Sequence, residues 1–221
     1  MASFITVIAK GGPLMWFILV GAILALAVFF ERFFHYHRAQ IHTGDFVNGI
    51  LNSLRRGNVN EAVETCDDTP GPVAQVVKSA LINHDRPRDE IREAVMDAAR
   101  TEVTRLEHNL PILVTIAQIT PLLGFLGTVT GMIQIFMQIE KTQLASPGQL
   151  AGGVWVALLT TAGGLVVAIP SYVAYNYLVS RVQNLVVDME KAANETLAYL
   201  ARREDRAPLE EPIILAAKQK A

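Results

Sequence analysis

The sequence predicts an all-α integral membrane protein with three transmembrane helices, its long helices extending into the cytoplasm. Three observations carry this. The stretch Asn109–Ser180 has 72 residues and only two charges, the adjacent Glu140 and Lys141, leaving runs of 31 and 39 residues without Asp, Glu, Lys or Arg. Each run exceeds the ~20 apolar residues that cross a bilayer. A further uncharged stretch, Gly11–Phe30, closes on Glu31-Arg32, and the chain as a whole is 51% apolar and 18% charged, the profile of a membrane protein with modest soluble parts.

Residues 1–10 form an N-terminal stub. Residues 11–30 read as the first transmembrane helix; with only Lys10 before it, the basic region of a cleavable signal is thin, although Ala25-Leu26-Ala27 resembles a cleavage site. Basic residues set the orientation: ten Lys or Arg lie between Glu31 and His108 and seven from Arg181 onward, against Lys10 and Lys141 alone on the other side. The positive-inside rule therefore places the N-terminus outside and both large segments in the cytoplasm.

Residues 31–109 read as a cytoplasmic helical loop. Phe33, Phe34, Tyr36, His35 and His37 make an interfacial continuation of the first helix, the histidines being simple boundary residues. Asn58 with Glu61 three residues on has capping-box spacing, and Thr69-Pro70-Gly71-Pro72 is a break before a helix through about Leu81. Acids and arginines spaced three or four apart over Arg88–Asn109 predict a salt-bridged, solvent-facing helix. No terminator precedes Pro111, so this helix is expected to run on into the second span.

Residues 110–139 are the second transmembrane helix with a cytoplasmic extension, since the 31-residue uncharged run would be about 46 Å long against a ~30 Å hydrocarbon core. Residues 140–149 form an outward, periplasmic loop, and 150–180 the third transmembrane helix and its extension. Residues 181–221 are a cytoplasmic C-terminal helix followed, from Glu204, by a flexible tail containing Pro208 and Pro212.

Several function classes drop out. A net charge of -2 without a basic face excludes nucleic-acid binding. The spans lack the Asp, Glu or His that intramembrane acid-base or metal chemistry requires, so no enzyme, metal site or cofactor is expected. The single cysteine, Cys66, lies among Glu64, Asp67 and Asp68, which should raise its thiol pKa and leave it inert.

What lines the spans is more informative. Thr120, Gly124, Gly127, Gly131, Gln134 and Gln138 recur at steps of four and three, with Thr128 beside them; Ala157, Thr161, Gly164, Ala168, Ser171 and Tyr175 do the same on the third span. Small residues at this spacing serve helix packing in lipid, while glutamine facing lipid is costly and should face protein or water. Counting from the intervening loop, Thr128 and Thr161 each lie about 18 Å from the outer edge, near the bilayer centre. A threonine hydroxyl can hold water or accept a bond from a protonated carboxyl, but it does not titrate usefully. The titrating group must come from elsewhere.

Thr120-Pro121-Leu122-Leu123-Gly124-Phe125-Leu126-Gly127-Thr128-Val129-Thr130-Gly131-Met132 resembles the second-span signature of the ExbB/TolQ/MotA proton-channel family. Ala157-Leu158-Leu159-Thr160-Thr161-Ala162-Gly163-Gly164-Leu165, with Ile169-Pro170 and Tyr175-Asn176, resembles its third-span signature. Three spans match the ExbB and TolQ branch, whereas MotA-type stators have four. The resemblance implies a bacterial inner-membrane protein assembling as a homopentameric ring around single-span ExbD- or TolR-like partners that supply a membrane aspartate. It implies proton flow that drives TonB- or TolA-like energy transducers in biopolymer transport or envelope processes. It makes Thr128, Thr161, Thr160, Thr120, Gly124, Gly131, Gly164 and Ser171 the pathway-lining candidates. One departure stands out: many ExbB members carry an acid at the position of Val156, and this chain does not. A non-conducting scaffold, in which the stripes serve packing alone, and a stator of a gliding or motility machine are the alternatives.

Overall fold

The computed structural model describes residues 12–142 and 147–218, and the described residues form helices joined by short turns, without a strand. The order is α1 (Gly12–Ala39), α2 (Thr43–Arg55), α3 (Val59–Asp68), α4 (Pro72–Ile82), α5 (Arg88–Glu107), α6 (Leu110–Thr142) and α7 (Pro147–Lys218). Helices α1, α6 and α7 each contain a segment long and apolar enough to cross a membrane. The expected N-terminal stub lies outside the described residues. The expected loop at 140–149 is shorter than predicted, because α6 continues to Thr142 and α7 begins at Pro147, a residue suited to a first helical turn since it has no N–H to leave unbonded. Glu140 and Lys141 do not end α6, since charged side chains are compatible with a helix that has left the apolar layer.

The chain divides into two compact units, Met1–Phe33 with Asn109–Val179, and Phe34–His108 with Ser180–Ala221. The first holds the apolar lengths of α1, α6 and α7. Only 22%, 28% and 22% of their respective spanning windows are buried within the chain, and Trp16, Phe17, Leu122, Phe125, Phe136, Val166 and Ile169 are all exposed. An apolar surface of this extent requires lipid or other membrane helices around it.

The second unit has a conventional core. Helix α4 is its centre: Val73, Ala74, Val76, Val77, Ala80 and Leu81 are all within 1% of full burial. Val47, Ile50 and Leu54 of α2, Ala62 and Cys66 of α3, and Ile91 and Val95 of α5 are buried too, as are Val182, Leu185, Met189, Ala192 and Thr196, a three-four stripe on α7. Gly71 starts α4 with φ +125°, and a Cβ there would come 2.9 Å from the Ala39 carbonyl oxygen, so the turn admits only glycine at low cost. Tyr36 is buried, and its hydroxyl donates to the Leu106 carbonyl at 2.6 Å, satisfying one of the acceptors left over at the end of α5.

Two local expectations need correction. Asn58 is the N-terminal cap of α3, but its side chain makes no capping bond. Its amide donates to the Glu61 carboxylate at 3.0 Å, and Arg56 reaches the same carboxylate at 2.9 Å, so a local ion pair outcompetes the capping box. Helix α5 carries the expected Arg100–Asp97 and Arg105–Glu102 pairs yet does not run into α6. His108 is extended (φ -53°, ψ 136°) and Asn109 has φ 69°. Asparagine tolerates the left-handed region better than most residues, and a proline just beyond a helix end is a common stop. Helical backbone continues to Lys218.

Candidate functional site

Helices α6 and α7 pack antiparallel along their small-residue stripes, and the glycines fix the register. A Cβ on Gly164 would lie 2.5 Å from the Thr120 carbonyl oxygen, and one on Gly124 3.0 Å from both the Thr160 carbonyl oxygen and the Thr161 Cα. One on Gly127 would overlap the Thr160 side chain, and one on Gly131 would come 3.1 Å from the Ala157 Cβ. Backbone thus meets backbone at Gly124 and Gly164, while Gly127 and Gly131 make room for the side chains of Thr160 and Ala157. The contacts pair Gly124 with Thr161 and Gly127 with Thr160, so Thr128, four residues beyond Gly124, stands about one helical turn nearer the connecting loop than Thr161 rather than at the single level that residue counting predicts.

The hydroxyls sort into two groups. Thr120 and Thr160 are buried at 2% and 1% exposure. They donate to carbonyls of their own helices, Thr120 to Ile116 at 2.8 Å and Thr160 to Ala157 at 2.8 Å. Ser171 is buried likewise and donates to Val167 at 2.7 Å. Such back-bonding satisfies a hydroxyl without a partner helix. Thr128 and Thr161 remain partly exposed. Thr128 donates to Phe125 of its own helix at 2.6 Å, whereas Thr161 crosses the interface to the Gly124 carbonyl at 3.0 Å.

Of the eight candidates, then, the structure places Thr120, Thr160, Gly124, Gly131, Gly164 and Ser171 in the packing, and leaves Thr128 and Thr161 with hydroxyls at a partly open surface. The second-span stripe also ends earlier than its sequence periodicity implies. Gln134 and Gln138 are exposed, and Ile135 is buried in their place, near enough to overlap a Cβ on Gly153. Steps of four and three average slightly under the 3.6-residue turn, so a stripe drawn in sequence drifts around the helix.

Helix α1 completes this unit. Gly21 packs on Thr120 and Ile116 of α6, and a Cβ on Gly163 would come 3.1 Å from Met15. Between α1 and α7 opens a cavity of about 750 Å³ walled by Ala22, Ala25, Phe29, Val167 and Ala174 among others. Phe33 and Tyr177 stack near it at 6.3 Å between ring centroids. Sequence reasoning missed this space; the alanines at Ala22 and Ala25 are its only signal. No group of three or more His, Cys, Asp or Glu among the described residues could hold a metal ion.

Residues 68–191 match the MotA/TolQ/ExbB proton channel family. The chain belongs to this family. It is 28% identical over 183 residues to a biopolymer transport protein ExbB homolog of Methanothermobacter thermautotrophicus, covering 82% of this chain and 64% of that one. It is 32% identical over 197 residues to biopolymer transport protein ExbB-like 1 of Synechocystis, covering 87% and 77%. To the Tol-Pal system protein TolQ of Haemophilus influenzae it is 34% identical over 125 residues, or 55% of each chain. The chain thus spans somewhat under two thirds of the archaeal relative's length. Family membership and three apolar helices together make it a multi-pass membrane protein of the proton-channel family.

Proposed function

We propose that this chain is an inner-membrane subunit of a motor driven by the proton-motive force, forming a ring, pentameric as in the family it belongs to, around ExbD- or TolR-like single-span partners. The partners' membrane aspartate carries the proton past Thr128 and Thr161, and the ring energises TonB- or TolA-dependent transport or envelope processes. The N-terminus is periplasmic and the C-terminus cytoplasmic, a reading that the distribution of basic residues supports. One observation carries this reading: two partly exposed hydroxyls lie within about one helical turn of each other in a hairpin that has no charged residue of its own along either span. An elementary charge crossing 100 mV releases about 2.3 kcal/mol, enough to bias a mechanical step against thermal reversal.

Val156, four residues before Thr160 and only partly buried, leaves the hairpin without the acid found there in many relatives of the ExbB branch, so the partner's carboxylate is the sole proton carrier at this depth. The scaffold reading draws on the glycine contacts and on the back-bonded Thr120, Thr160 and Ser171, all explained by packing. It accounts for the bonds of Thr128 and Thr161 as well, but not for their partial exposure. Replacing Thr161 or Thr128 with Val preserves shape and removes the hydroxyl. The expected result is normal assembly with loss of proton flux and of energy-dependent function. Unchanged flux in both variants sinks the assignment.

A further inference from the structure

A hydroxyl owns a single proton, and both partly exposed hydroxyls of this site have spent theirs on backbone carbonyls: Thr128 on Phe125, and Thr161 on Gly124 across the helix interface. Each is left with oxygen lone pairs alone. The Gly124 carbonyl is the pivot. It accepts the backbone N–H of Thr128 within the α6 ladder and has a second lone pair for Thr161. The missing side chain at Gly124 is what lets Thr161 come close enough, since a Cβ there would stand 3.0 Å from the Thr161 Cα.

We infer that the Gly124 backbone carbonyl is a positioning group that turns the Thr161 hydroxyl proton out of the pathway, so that Thr161, with Thr128 about one helical turn further along, presents an acceptor-only site that receives a neutral carboxylic acid and not a carboxylate. The inference rests on the proton-pathway reading above and adds the polarity of the site to it. A protonated carboxyl can donate to either oxygen; an ionised one has no proton to give and meets two lone pairs. Hydrogen bonding to the neutral form disfavours the charged form, so the site holds the partner's acid protonated while it sits between these helices and favours its release once ionised. Nothing else on the packed elements competes: residues 12–30, 110–139 and 148–180 contain no Asp, Glu, His, Lys or Arg, and the phenols nearest in sequence, Tyr172, Tyr175 and Tyr177, begin 11 residues beyond Thr161, about 16 Å along the helix.

The dipeptide Gly-Phe occurs once in the chain, at Gly124-Phe125. Carbonyl-13C glycine combined with 15N-phenylalanine therefore isolates the Gly124 carbonyl in solid-state NMR of the protein in bilayers. The expected result is an upfield move of this resonance in Thr161→Val, as it loses one of two hydrogen bonds, and retention of the wild-type position in Thr161→Ser, which keeps the donor. A resonance that does not move in Thr161→Val overturns the proposal whatever the flux does. The polarity is read separately, in the complex with the co-purified single-span partner labelled at its aspartate side-chain carboxyl. In Thr128→Val the titration midpoint of that acid should fall to lower pH, because its neutral form loses an acceptor. Simple desolvation by the new methyl group would act the other way. A midpoint that rises or stays overturns the acceptor-only site. Failure of the underlying reading looks different: the Gly124 resonance moves, but proton flux is untouched or no acid-bearing partner co-purifies. That result overturns the pathway and with it the purpose assigned to the orientation.

Discussion

Thr120, Thr128, Thr160 and Thr161 carry the same side chain, and only its surroundings separate a packing residue from a candidate for proton handling. Thr120 and Thr160 are within 2% of full burial with their hydroxyls back-bonded, so replacing either with Val should leave flux close to wild type provided assembly is intact, whereas Thr161→Val abolishes it. Proton flux measured on the four single variants in reconstituted vesicles checks this contrast. Cys66 shows how far surroundings reach for a group outside the membrane. Its thiol is pushed up to about 12, first by burial and then by Asp67, with Lys78 pulling the other way. The acidic neighbours in the sequence predict the direction, but burial is the largest cause. Cys66 should therefore resist alkylating reagents at pH 8 in the native protein and react on denaturation. Between its ordinary value and about 12, the folded state holds a proton that the unfolded state has released, so stability falls as pH rises through that window. Cys66→Ala should flatten that part of the alkaline stability profile, read by thermal unfolding in detergent.

At the scale of elements, the hairpin is held by glycine where backbones touch. Gly164→Ala would force a Cβ to 2.5 Å from the Thr120 carbonyl oxygen and should cost about 1–3 kcal/mol, the usual range for overpacking. Gly152→Ala meets nothing within 4 Å and should be neutral or slightly stabilising, since alanine is the better helix former. Detergent-resistance or thermal-shift measurements on the two variants separate these outcomes. The break between α5 and α6 makes a similar contrast: Asn109→Gly should be tolerated at φ 69°, while Asn109→Ala should cost about 1–2 kcal/mol. The same elements show what was legible in the sequence. The spans and the α4 boundary after Pro70-Gly71 follow from charge and proline, both local properties, whereas the offset of about one turn between Thr128 and Thr161 depends on the register of two helices. The break at His108-Asn109 was missed because no residue there forbids helix outright. The early end of the α6 stripe, at Gln134, was missed because small differences in helical phase decide which of two neighbouring residues turns inward. Which hydroxyls are spent on packing depends on a second helix, and no single-strand pattern encodes that.

At the scale of the whole molecule, three helices with at most 28% of a spanning window buried form an incomplete membrane domain. Exposed Gln134 sharpens the point, because glutamine at the lipid face is unfavourable unless protein, headgroups or water meet it. Together with family membership, this makes oligomerisation and a charged membrane partner requirements of the account. The most direct test of the central claim is proton flux into vesicles reconstituted with this chain alone and with the chain plus its co-purified single-span partner. The account predicts no flux from the chain alone, flux with the partner, and its loss in Thr161→Val. Equal flux with and without a partner carboxylate would contradict it.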